Sequence, residues 1–328
     1  RDRHRLIRRQ RQMCIRDRQI IKCRSLTAIF QGDKLLLGGP HIVEFDTTDE
    51  QKFHIKIEQC GFRMITITSD RDTSAFDLYA ILTRIERLLM LLEGVFIPLS
   101  ELKLSKSDTA DEKQLTSFQN NLIKGRLSYF SSADFCNYKV NKLLEFDTIL
   151  TAELYSKWEQ LLVELDLVHQ VYLYFLSNSK ITVDVKCAFL IELAEPLIEV
   201  VKEHTKFFSS LTPGPRGASL KNCLDALITK YGADIFSSEL ASDYERFLSA
   251  MVNSRVRIMH IKREQKGAFF NGNESVLYML KMNLLYRRIM FEVLGIDEAI
   301  YKNSLLKCVS RLDEWNGILK GFLSKLSL

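Results

Sequence analysis

The sequence predicts an α+β protein in which a β-rich N-terminal domain with one packed helix precedes an all-α helical bundle. Three observations carry that expectation. Residues 26–68 alternate apolar and polar side chains between turn signals. Residues 74–93, and nearly everything after 147, repeat apolar residues at three- and four-residue steps. Only 5 prolines and 14 glycines interrupt the 328 residues. A period of two marks a strand solvated on one face, and a period near 3.6 marks an amphipathic helix. At 46% hydrophobic and 27% charged, the composition is that of a globular protein and excludes a disordered, collagenous or disulfide-stapled chain. The length suits two domains, expected at 19–146 and 147–328.

The strand-like runs are LTAIF (26–30), KLLLGG (34–39), HIVEF (41–45), KFHIKIEQ (52–59) and FRMITIT (62–68), read together as an antiparallel meander. Phe53, Ile55 and Ile57 alternate with Lys52, His54, Lys56 and Glu58, so His54 belongs to the solvated face. His41 follows Pro40 at a turn and is likewise expected to do no chemistry. Asp72 or Thr73 is expected to cap a helix from Ser74 to Glu93 that Gly94 ends. VFIPLSELKL (95–104) reads as a further strand, 105–121 as a loop or flexible insertion, and LSYF (127–130) and YKVNKLLEF (138–146) as returns to the fold. Helices are expected near 150–178, 180–208, 218–231, 237–260, 274–294 and 297–325. The clearest interior loop is SSLTPGPRGA, at 209–218.

The net charge of +5, from 46 Lys and Arg against 41 Asp and Glu, hints at a nucleic-acid partner, but its distribution is uneven. Residues 1–18 hold eight arginines and two aspartates, which leaves 38 basic against 39 acidic residues in the other 310. RRQRQMCIRD back-translates to a string that resembles a transposase sequencing adapter, so residues 1–18 are expected to be a non-native segment, with the native start missing. The other reading is a basic arm that binds nucleic acid.

Cysteines at 14, 23, 60, 136, 187, 223 and 308 form no CxxC pair, which points to free thiols and a cytoplasmic setting. The six histidines never fall at metal spacing from a cysteine pair, so no metal and no cofactor are expected. The apolar run from Leu78 to Leu92 is interrupted by Arg84, Glu86 and Arg87, short of the ~20 apolar residues a membrane span needs.

The chemistry-bearing segment is DYERFLSAMVNSRVRIMHIKREQK, residues 243–266. Tyr244, Leu248, Met251, Arg255, Ile258 and Met259 recur at helical steps, which sets Arg255 inside an apolar stripe, whereas Arg257 points about 200° away. A desolvated guanidinium must meet a carboxylate, a phosphate or a wet cleft. His260 lies five residues on, and Arg257, Lys262, Arg263 and Lys266 surround the pair with positive charge. Arginine offers phosphate a planar fork, and histidine can move a proton near neutral pH. Cations near a helix C-terminus also suit the helix dipole, which is the plain structural alternative. Five positions on a straight helix diverge by about 140° and rise about 7.5 Å. One helix therefore cannot easily aim both groups at one atom, and the site needs a helix end or a second copy of the chain.

The helical half also carries ELYSKWEQLLVELDLVHQVYLYF (153–175), FLIELAEPLIEVV (189–201), NSRVRIMHIK (253–262) and LLYRRIMFEVLGI (284–296). Over about 148–300 these segments resemble the HEPN superfamily, most closely its ApeA-like branch, in which a β-rich domain precedes the HEPN bundle. The family's arginine–histidine motif maps onto Arg255 and His260, with Val256 where a polar residue is usual and Asn253 and Ser254 on the other side. The resemblance implies a metal-independent endoribonuclease of phage defence, dimeric, with a composite site between protomers. There the RNA 2′-hydroxyl attacks the adjacent phosphate, His260 acts as acid or base, and Arg255 steadies the phosphate. Glu195 or Glu192 is a candidate partner for Arg255. A non-catalytic RNA- or nucleotide-binding HEPN module is the second reading, and a structural partner-binding domain is the third.

Overall fold

The computed structural model describes residues 21–30, 40–48, 51–94, 97, 99–105, 112–129, 142–177, 181–204, 219–262, 266–312 and 316–326. The arginine-rich segment 1–18, the expected strand at 34–39, the loop at 209–218 and Arg263 lie outside them. The described chain is α+β: a five-stranded antiparallel sheet followed by a helical region. It divides into two compact units, residues 1–139 with 145–159, and 140–144 with 160–328.

In the first unit, β1 (Lys22–Phe30), β2 (His41–Asp46), β3 (Phe53–Cys60), β4 (Phe62–Ser74) and β5 (Leu99–Leu104) assemble in the order β2-β3-β4-β1-β5. The expected meander holds from β2 to β4. The exception is β1, which pairs with β4 and β5 rather than with β2. Register explains the core, because residues directly opposite share a face. Ile57, Ile65, Ala28 and Leu102 form one cross-strand row, Ile55, Ile67 and Leu26 another, and all seven are buried. Helix α1 (Ala75–Glu93) lays Leu78, Ile81, Leu82, Ile85, Leu88, Leu89 and Leu92 against the sheet. Its cap is Ser74, not Asp72 or Thr73: β4 runs through both, and the Ser74 side chain accepts from the Phe76 N–H. Gly94, at φ 68°, closes the helix.

The segment expected as a loop at 105–121 instead enters helix α2 (Glu112–Tyr129). Its polar composition hides a sparse apolar face in which Leu115 and Phe118 are buried. Phe118 meets Phe76 edge-on at 4.7 Å. A short helix α3 (Phe146–Ile149) follows and packs on β2, and α4 (Ala152–Ser177) runs out of the first unit into the second.

The second unit is helical. After α4 come α5 (Val183–Glu192), α6 (Ala194–His204), α7 (Leu220–Tyr231), α8 (Ser237–Leu240), α9 (Tyr244–Met259), α10 (Asn273–Val293), α11 (Glu298–Arg311) and α12 (Asn316–Leu326). Three expected helices are each divided in two. The break within 180–208 has a clear cause: Pro196 has no N–H to return to the Glu192 carbonyl, and proline is tolerated only in a helix's first turn. Thus α5 ends at Glu192 and α6 begins at Ala194. The α5 helix packs on both α9 and α10, and α7 packs on α6 and α9. Fully buried His169 donates to or accepts from Tyr286 Oη at 2.8 Å beside the Tyr172–Tyr286 stack, a core role without access to substrate.

Candidate functional site

Asp243 starts α9 by accepting from the Arg246 N–H. The helix buries Phe247, Leu248, Ala250, Met251 and Ser254. This stripe differs from the expected one in its last turn: Ser254 is the buried member, and Arg255, one step of about 100° further round, sits at the rim with 23% of its side chain exposed. Its guanidinium meets the carboxylate of Glu192, with Nε donating to Oε2 and Nη2 to Oε1 at 2.6 Å. Nη1 makes no hydrogen bond among the described residues. The break before Pro196 matters here, because it leaves Glu192 on the last turn of α5 and Glu195 on the first turn of α6. Of the two candidate partners it is Glu192 that bonds Arg255. Glu195 acts at longer range: its own burial and the charge of Glu192 push its carboxyl up, with Arg255 opposing. The Glu192 bond holds Arg255 protonated above its already high ordinary pKa.

His260 is the residue on which α9 stops, and it is exposed. The stop has the two reversed hydrogen bonds of a Schellman turn: Ile261 N–H to Ile258 O at 3.2 Å and Lys262 N–H to Arg257 O at 2.9 Å. Such a turn needs a left-handed residue, ordinarily glycine. Here Ile261 takes that place, with φ 51° and 90% exposure. His260 therefore stands at a helix end, one of the two situations that the motif spacing required. No hydrogen bond or ion pair joins it to Arg255 among the described residues.

The supporting residues divide by job. Asn253 Nδ2 donates to the Ala268 carbonyl at 3.1 Å and reaches that of Lys266 at 3.4 Å. Ser254 Oγ accepts from the Phe270 N–H at 2.7 Å. The Arg257 guanidinium lies 4.5 Å from the centre of the Phe269 ring. All three fasten residues 266–270 back onto α9. Lys262 is exposed, and Arg263 lies outside the described residues.

Helix α9, packed on α5, thus carries a rim arginine and ends on an exposed histidine. Residues 185–300 match the Apea-like HEPN family. Glu192, Glu195, Arg255 and His260 all fall inside this HEPN segment. It begins after α4, so the resemblance expected from about 148 onward starts later, at 185. No curated protein and no solved structure matches the chain. No helix among the described residues is long and apolar enough to cross a membrane.

Sequence spacing offered no sign of one further constellation. His41, expected to be an inert turn residue, opens β2 and lies beside Glu145 and Asp147, 106 positions of sequence separating it from the latter.

Proposed function

We propose that this chain is a metal-independent endoribonuclease of phage defence, of the abortive-infection type, acting as a homodimer whose composite site unites Arg255 and His260 from two protomers. In this reading residues 147–328 are the catalytic domain and 19–146 a sensing or regulatory one. One observation carries it: within the HEPN segment, α9 offers a rim guanidinium with Nη1 unengaged among the described residues, about 1.4 turns before an exposed imidazole. Met259, exposed beside His260, would give a second copy apolar surface to meet.

The chemistry needs no nucleophile from the protein. One His260 takes the ribose 2′-hydroxyl proton as O2′ bonds to phosphorus. The bond from phosphorus to O5′ breaks, and the partner's His260 returns a proton to the departing oxygen. The products are a 2′,3′-cyclic phosphate and a 5′-hydroxyl. Arg255 stabilises the negative charge that gathers on the phosphate oxygens during this exchange.

Incubation with RNA in the presence of a chelator tests the proposal through fragments ending in cyclic phosphate. Arg255→Ala and His260→Ala should each lower cleavage by roughly 10²- to 10⁴-fold and abolish toxicity while fold and dimer persist. Undiminished cleavage in both variants rejects the assignment. A second reading, a non-catalytic RNA- or nucleotide-binding module, is favoured by Val256 at the usual polar position and by the hold of Glu192 on Arg255. It predicts retention of RNA without fragments, whereas a structural partner-binding domain predicts neither.

A further inference from the structure

Within the N-terminal unit, α3 packs on β2 and brings one nitrogen or oxygen from each of His41, Glu145 and Asp147 within 4.8 Å of the others. His41 Nδ1 and Asp147 Oδ2 stand 2.5 Å apart, with the two side chains 23% and 26% exposed. The other oxygen of Asp147, Oδ1, is buried and has no hydrogen-bond partner among the described residues. A carboxylate oxygen shut away from water without a donor is costly, and such atoms commonly mark an absent ion or water. Glu145 occupies the N-cap position of α3, but its side chain makes no capping hydrogen bond. The cation above Phe146, Arg63, is already bound by Glu93 and Gln59.

We propose that His41, Glu145 and Asp147 bind one divalent transition-metal ion of the zinc type. One imidazole and two carboxylates suit Zn²⁺, whereas Mg²⁺ and Ca²⁺ favour six or more oxygen ligands. Bonds of about 2.1 Å to a tetrahedral ion place neighbouring ligand atoms about 3.4 Å apart. The His41–Asp147 pair therefore opens by about 1 Å as the metal replaces the proton between them, and the rest of the set closes by side-chain rotation. Three protein ligands leave a fourth position for water. The ion would clip α3 to β2 and stabilise the unit by binding the folded state alone. The site is in the other unit from Arg255 and His260, so it stands or falls independently of RNA cleavage.

The test uses the full chain, stripped with chelator and titrated calorimetrically with zinc chloride. One equivalent should bind and raise the melting temperature. Asp147→Asn and His41→Asn should abolish both effects while circular dichroism remains native. Because losing the His41–Asp147 pair can loosen the unit, Glu145→Gln is the second variant. It leaves that pair intact, and it should weaken zinc binding at least about tenfold, or ~1.4 kcal/mol, while circular dichroism remains native. Absence of zinc binding by the unaltered chain overturns the site. So does an undiminished equivalent in Asp147→Asn and His41→Asn, as capture by exposed Cys60 would produce, or an unchanged affinity in Glu145→Gln.

Discussion

Glu192 engages Arg255 through both of its carboxylate oxygens, so the guanidinium proposed to meet a phosphate already has an anion against it. A phosphate approaching Arg255 also approaches Glu192. At about 4 Å in water, two unit charges interact by about 1 kcal/mol. Glu192→Gln is therefore expected to tighten RNA binding roughly fivefold at low ionic strength, with the gain shrinking as salt screens it. Filter binding across a potassium chloride series measures this. An affinity independent of residue 192 would mean that RNA does not pass Arg255.

Ser254 is the hinge pin of the segment behind His260. Its buried Oγ donates to the Ala250 carbonyl and accepts from the Phe270 N–H, both at 2.7 Å. Ser254→Ala leaves that N–H without its acceptor, a cost of about 1–3 kcal/mol. Urea unfolding of the variant should show a loss in this range with an unchanged slope.

Ile261 holds a left-handed backbone conformation that a β-branched residue enters at a cost of roughly 1–2 kcal/mol, and its side chain is 90% exposed, so little packing is lost on replacement. Asparagine tolerates this region far better. Ile261→Asn is expected to raise stability by about 1 kcal/mol, seen as a higher melting temperature.

The thiols should separate by burial. Cys60 is exposed, whereas Cys23, Cys187, Cys223 and Cys308 are buried. Burial, aided by Asp72, pushes Cys23 up to about 12. Burial, with Glu195 and Glu199, takes Cys223 to about 11. Native-state alkylation followed by peptide mapping should mark Cys60 in preference to these four. The raised values also set the sign of an alkaline effect. The unfolded thiol ionises near 9 while the folded one keeps its proton. The stability these groups contribute is therefore present below about pH 9 and is lost as pH climbs toward 11–12. Cys23→Ala should flatten part of that decline in urea unfolding measured from pH 8 to 11.

Local patterns made most of the architecture legible. The alternation of Phe53, Ile55 and Ile57 made β3 a strand, the spacing from Leu78 to Leu92 made α1 a helix, and the long periodic stretch after 147 made the second half helical. Where apolar residues were sparse the same method failed. The helix containing Leu115 and Phe118 looked like loop because two buried side chains among polar neighbours carry little periodic signal. The division of 180–208 could have been seen in Pro196, whose missing N–H forbids a continuous helix there.

At the site, the sequence alone determined that an arginine and a histidine five residues apart share one helix, because helical periodicity is a property of neighbours along the chain. What it could not determine is which carboxylate faces Arg255, that residues 266–270 fold back onto α9, or that His41 lies beside Asp147. Those are pairings across 63 and 106 positions of chain and the return of a loop onto the helix before it. They depend on how elements pack, and packing is settled by the combined burial of many side chains rather than by the spacing of any few.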